Sequence, residues 1–183
     1  MTDFLQDHPD GVIVAMDEMS LYFQATTTRV WFPVGQVPLV RVSPQRAVLH
    51  YYGALALRTG HEMALTLPAL TGDHMVHFLR HVLTCFPTPS ILMLLDRAPW
   101  HKGEAVRTFL ATVPRLELFF FPPACPDLNP QEHVWKRARE MVSHNHAFTE
   151  FGVLRQAFSR CLETTFFKFE WLEKYVPTIL CHV

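Results

Sequence analysis

The sequence has no surplus of positive charge. Its 16 Lys and Arg residues are balanced by 17 Asp and Glu, leaving a net charge of −1 with the histidines neutral. That excludes a strongly basic nucleic-acid binder, so any such contact rests on a local patch or on a second module. Cysteine pairs are also missing. Cys85, Cys125, Cys161 and Cys181 form no Cys-x-x-Cys unit and match no zinc-finger spacing. They read as free thiols in a reducing cytoplasm. The opening residues Met1 to His8 are acidic and lack the basic start and apolar run of a signal peptide. No apolar run approaches the ~20 residues that span a bilayer. These absences predict a soluble, cytosolic protein with no membrane partner. Internal repeats and low-complexity segments are absent too.

Core material, by contrast, is plentiful. The chain has 183 residues, 49% of them hydrophobic, which predicts one compact domain over residues 1–183. Val12 to Met16 is a short apolar run, suited to a buried strand that Asp17 and Glu18 end. Thr27 to Val34 reads as a second strand, followed by a turn at Pro33 to Gln36. Ala47 to Arg58 reads as a third, Thr59-Gly60 as a turn, and Glu62 to Leu67 as a short fourth. Short turns imply an antiparallel meander. A helix then starts at Thr71-Gly72-Asp73, with Met75, Val76, Phe78, Leu79, Val82 and Leu83 on one side. A strand over Ile91 to Leu95, a helix over Gly103 to Thr112, and a strand over Leu116 to Phe121 follow. Helices over Asn129 to Ser143 and Phe148 to Leu162 complete the order. A meander followed by alternating strands and helices predicts an α/β fold, a mixed sheet flanked by helices.

Three carboxyl groups occupy informative places. Asp96 comes straight after five apolar residues, at the carboxyl edge of a buried strand, where crevices form in such folds. Asp17 closes an apolar run, either as a solvated turn residue or as a paired or metal-bound group. Glu132 falls three residues after Asn129, with Pro130 at the first helical position. That pattern allows a cap in which Glu132 reaches back to the Asn129 backbone, and it equally allows a site residue. Together the three would suit Mg²⁺ or Mn²⁺, because hard cations take oxygen ligands. Two such ions about 3.5–4 Å apart would clamp the attacking and leaving oxygens of an in-line displacement.

Other groups have plainer readings. His74, His77 and His81 lie along one helix, and the last two have the spacing of a zinc pair, but a solvated face explains them better. His101 and Lys102, just past Asp96, are loop charges or phosphate contacts. Lys136, one turn beyond Glu132, is its i, i+4 partner or a nucleic-acid contact. Trp31, Trp100 and Trp135 read as core or rim packing.

The segments Asp17-Glu18, Leu95 to Lys102 and Pro122 to Trp135, with its Pro-x-Leu-Asn-Pro-x-Glu-x-x-Trp run, resemble the catalytic core of DDE transposases. The similarity covers roughly residues 12–145 and is nearest to the bacterial insertion-sequence branch related to mariner elements. It implies a ribonuclease-H-like fold shared with retroviral integrases. It also implies that Asp17, Asp96 and Glu132 are catalytic and hold Mg²⁺, with Mn²⁺ as a substitute, in two sites. The interval from Asp96 to Glu132 contains 35 residues, near the family's usual spacing. The implied activity is DNA endonuclease and strand transfer: transposon ends are cut and joined to target DNA. DNA is the implied partner, His101, Lys102 and Lys136 its contacts, and a homodimer the active form. The alternatives are another nuclease of this fold and a metal-free DNA-binding or assembly module. Two departures spare the acids: Arg97 stands where many members carry Asn, and Gln131 where Ile is frequent. Only 16 residues precede Asp17, so no N-terminal helix-turn-helix domain is expected on the chain. Such a module would be separately encoded or removed.

Overall fold

The computed structural model describes residues 1–23, 31, 33–35, 47–123, 125–144, 146 and 148–170. The predicted strand from Thr27 to Val34 falls largely outside them, as do Trp171, Tyr175 and Cys181. A short helix α1 (Thr2–Asp7), which periodicity did not reveal, precedes β1 (Val12–Tyr22), β2 (Val48–Ala56) and β3 (Glu62–Leu67). Then come α2 (Gly72–Cys85), β4 (Ile91–Leu95), α3 (Glu104–Ala111), β5 (Leu116–Phe120), α4 (Pro130–Val142) and α5 (Phe151–Thr164). Single 3-10 turns sit at Pro99–His101 and Pro126–Leu128.

The five strands form one sheet in the order β3-β2-β1-β4-β5. The first three pair antiparallel, while β4 and β5 run parallel to β1. This is the expected mixed sheet. One boundary differs in a way that matters. β1 does not end at Asp17 but runs on to Tyr22, with Asp17 and Glu18 inside it. Its antiparallel partner sustains it, since β2 pairs with β1 from Val14 to Tyr22. The parallel partner stops earlier, its last register pair being Ala15 with Leu94. Two residues further on, Asp17 is level with Asp96, where β4 has ended and the sheet opens beside β1.

Side chains on a strand alternate between faces, and here each face has its own core. Val14 and Met16 pack with Met75, Phe78, Leu79 and Val82 of α2 and with Val106 of α3. Met19 and Leu21 pack on the opposite face with Val134, Trp135 and Ala138 of α4 and Leu154, Phe158 and Leu162 of α5. Asp17 shares the α4 face and Glu18 the α2 face, so two adjacent acids point to opposite layers. The Thr71 hydroxyl caps α2 by accepting from the His74 backbone N–H at 3.3 Å, a contact worth about 1 kcal/mol. At the β2–β3 turn, Gly60 has φ 73°, a left-handed conformation that favours glycine. Among the described residues no helix is long and apolar enough to cross a membrane.

Candidate active site

Asp17, Asp96 and Glu132 come from β1, the end of β4 and the first turn of α4, and all three line one cleft of about 360 Å³. Arg97, Ala98, Asn129, Cys125 and the strap Phe121-Pro122-Pro123 form the rest of its wall. The strap is tied to the end of β4 by Arg97, whose Nε donates to the Phe121 carbonyl at 2.9 Å. Two prolines after β5 end the strand by removing ladder donors and turn the chain toward α4.

The α4 start resolves the capping question. Asn129 is the N-cap: its Oδ1 accepts from the Gln131 backbone N–H at 3.1 Å. Its Nδ2 donates to the Met16 carbonyl at 2.9 Å, clamping the helix to the residue before Asp17. Among the described residues, no hydrogen bond draws the Glu132 carboxyl back to Asn129. Glu132 is exposed toward the cleft, so the reciprocal capping arrangement is not formed.

Each Asp is held differently. Asp17 Oδ2 accepts from Trp135 Nε1 at 3.2 Å. Burial, then the neighbouring carboxyls of Glu132, Glu18 and Asp96, push Asp17 up to about 8, with only the Glu18 backbone N–H acting the other way. Asp96 lies in the opposite regime. Its Oδ1 accepts from His101 Nδ1 and from the Ala98 backbone N–H, both at 2.9 Å. The His101 bond first, with the Ala98 bond and the His101 and Lys102 charges, holds Asp96 below the usual carboxylate range despite partial burial.

From the sequence His101 is either loop charge or a phosphate contact; in the structure its ring faces the acids of the site. The ring is only 1% exposed and bridges two acids, with Nε2 2.8 Å from Glu18 Oε1 and Nδ1 at Asp96. Burial opposes its charge, but the bonds to Asp96 and Glu18 outweigh that and raise it to about 9. Both ring nitrogens can donate only in the imidazolium form. Trp100 Nε1 also donates to Glu18 Oε1, at 3.0 Å. Glu18, Trp100 and Trp135 therefore belong to the site, and local pattern did not mark them as such. Lys102 and Lys136 are exposed, and the Lys102 ammonium lies 4.9 Å from the centre of the Phe120 ring.

The donor set suits a hard divalent cation: carboxyl oxygens around a cleft whose negative charge is only partly compensated. Among the described residues, no three His, Cys, Asp or Glu side chains are gathered closely enough to hold an ion as they stand. That includes His74, His77 and His81 on α2, where His74 is bonded to the Thr71 hydroxyl.

A family model described as DDE superfamily endonuclease matches residues 12–155. The chain belongs to this family. A protein of Sinorhizobium fredii, y4pE/y4sA, is 29% identical over 103 residues, covering 56% of this chain and 73% of that one. Among solved structures, the Mos1 mariner paired-end complex with Mn superposes with a TM-score of 0.66 at 18% identity, over 92% of this chain and 53% of that one. The Mos1 catalytic domain superposes at 0.57 and 15% identity, over 84% of this chain and 70% of that one. At such identities the likeness is one of fold: the five-stranded mixed sheet of this DDE endonuclease domain is that of the mariner transposase catalytic domain. The chain spans about half the length of the full Mos1 chains it matches.

Proposed function

We propose that this DDE endonuclease domain carries out metal-dependent phosphoryl transfer on DNA, cutting transposon ends and joining them to a target. The observation that carries the reading is the convergence of Asp17, Asp96 and Glu132 on one cleft from three separate elements. These residues would hold two Mg²⁺ or Mn²⁺ ions; Mos1 paired-end complexes are known with Mg and with Mn. Ions held there would supply Lewis acidity to the attacking water or 3′-hydroxyl and to the leaving oxygen. His101 holds the Asp96 carboxylate in one orientation, and Trp135 does the same for Asp17. Arg97, which lines the cleft, and the exposed Lys102 and Lys136 would meet the phosphate backbone. Two copies would act together on paired ends, with end recognition supplied by a helix-turn-helix module outside this domain.

One observation favours a second reading. The three carboxyls do not form a closed metal cage among the described residues, as a metal-free DNA-binding or assembly module would have it. Titration with Mn²⁺ in a calorimeter separates the two: binding tighter than millimolar supports the enzyme, and its absence supports the module. The catalytic assignment predicts that Asp96→Asn or Glu132→Gln abolishes Mg²⁺-dependent nicking while circular dichroism and thermal unfolding stay native. Cleavage retained by either purified variant would sink it.

A further inference from the structure

Next to Glu132 the helix buries a polar side chain whose partner is another buried acid. Gln131 is 0% exposed and Glu62, at the start of β3, is 4% exposed. Gln131 Nε2 donates to Glu62 Oε1 at 2.7 Å. The remaining oxygens of the two groups, Glu62 Oε2 and Gln131 Oε1, are both buried, and no hydrogen bond reaches either one. A buried acceptor without a donor costs about 1–3 kcal/mol, and two on one contact point to a missing proton. A single proton on Glu62 Oε2 supplies it. A carboxylic acid and a primary amide have matching donor and acceptor edges. The ionised form has no such remedy, because no Lys or Arg salt bridge reaches Glu62 among the described residues. Burial accordingly pushes the Glu62 carboxyl well above its ordinary range, against the opposing effect of the Gln131 bond.

The pair also sits where it can matter. It lies over Gly53, where a Cβ would collide with Glu62 Oε1, the Trp135 ring and Gln131 Nε2. Gly53 is the cross-strand partner of Asp17. Trp135, which bonds Asp17, and Gln131, which precedes Glu132, therefore meet Glu62 at a single point on the sheet.

We propose that Glu62 is a positioning residue: as the neutral acid it makes a two-bond pair with the Gln131 amide and seats the first turn of α4 so that Glu132 faces Asp17 and Asp96. This rests on the reading of those three acids as metal ligands. Infrared difference spectra test the pair without any metal. Wild type should show a protonated-carboxyl stretching band that Glu62→Gln lacks; no such band in wild type overturns the neutral pair. Mn²⁺ calorimetry then tests the positioning role. Glu62→Leu strands both polar ends of Gln131 and should weaken Mn²⁺ binding about 10-fold. Glu62→Gln, which can still make two bonds to the amide, should recover most of that loss. Gln131→Leu gives the same test from the other partner should Glu62→Leu not fold. Wild-type affinity in the leucine variants overturns the role. A wild-type chain that binds no Mn²⁺ removes the ligand reading and the positioning role with it, while the infrared band still decides the pairing.

Discussion

At Asp17, burial and three neighbouring carboxyls act in one direction, raising the group from 3.8 to about 8. In the absence of metal the native state therefore holds a proton that the unfolded chain releases from about pH 4 upward. Stability from this group is full below that point and is lost as pH rises through the folded value. Asp17→Asn removes the effect. In chelator, thermal unfolding should show the variant more stable than wild type above pH 8, by about 1 kcal/mol, with no gain below pH 3.8. Equal stability at high pH would mean that Asp17 is not under charge strain. The three acids stood out in the sequence as candidates only when their positions were taken together with the family resemblance. Their supports did not stand out. Trp135 lies 118 positions from Asp17, His101 83 from Glu18, and Gln131 69 from Glu62. Nothing local in Glu18 or Trp135 distinguishes a site residue from a solvated acid or a core aromatic. His101, just past a strand end and next to Lys102, reads as loop charge or a phosphate contact, whereas its neighbours in space are two acids.

The sequence predicts elements closely wherever hydrophobic periodicity persists. β3, α2, α3 and α4 fall within a residue or so of their expected spans, and the Asn129 cap marks its helix correctly. β1 is longer than its apolar run, which stops at Met16, because the strand continues on hydrogen bonds to β2. Ladder partners, not side-chain polarity, decided its length, and that places Asp17 in mid-strand beside the end of β4. α1 is only 6 residues long, too short for a helical period to stand out. The docking of α4 on β2 is the element contact that matters most to the site. Gly53→Ala should destabilise the fold by about 1–3 kcal/mol through overpacking, read as a lower melting temperature, because Glu62, Gln131 and Trp135 leave no room for a Cβ. A melt unchanged from wild type would show that α4 can shift freely on the sheet.

For the molecule as a whole, the charge balance bears on how DNA is held. A chain of net charge −1 has no general attraction for DNA, so binding by this domain should depend on a few local cations. With Arg97, Lys102 and Lys136 on phosphates, log K should fall with log salt at a slope of about −2.7, near −0.9 per contact. Lys136→Ala should reduce the slope by about one, measured by fluorescence anisotropy on duplex DNA. A slope that ignores the substitution places Lys136 away from the nucleic acid. By itself the sequence determined the fold class and most of the elements, and put the three acids forward as candidates, because hydrophobic period, caps and motif spacing are local properties. Only the tertiary structure decided that Asp17 in β1 lies level with Asp96 just past the end of β4, that among the described residues Asn129 caps α4 without Glu132, and that His101 is buried between two acids. Those outcomes depend on register and helix docking, which bring together residues far apart in the chain, and burial there sets which carboxyls are charged.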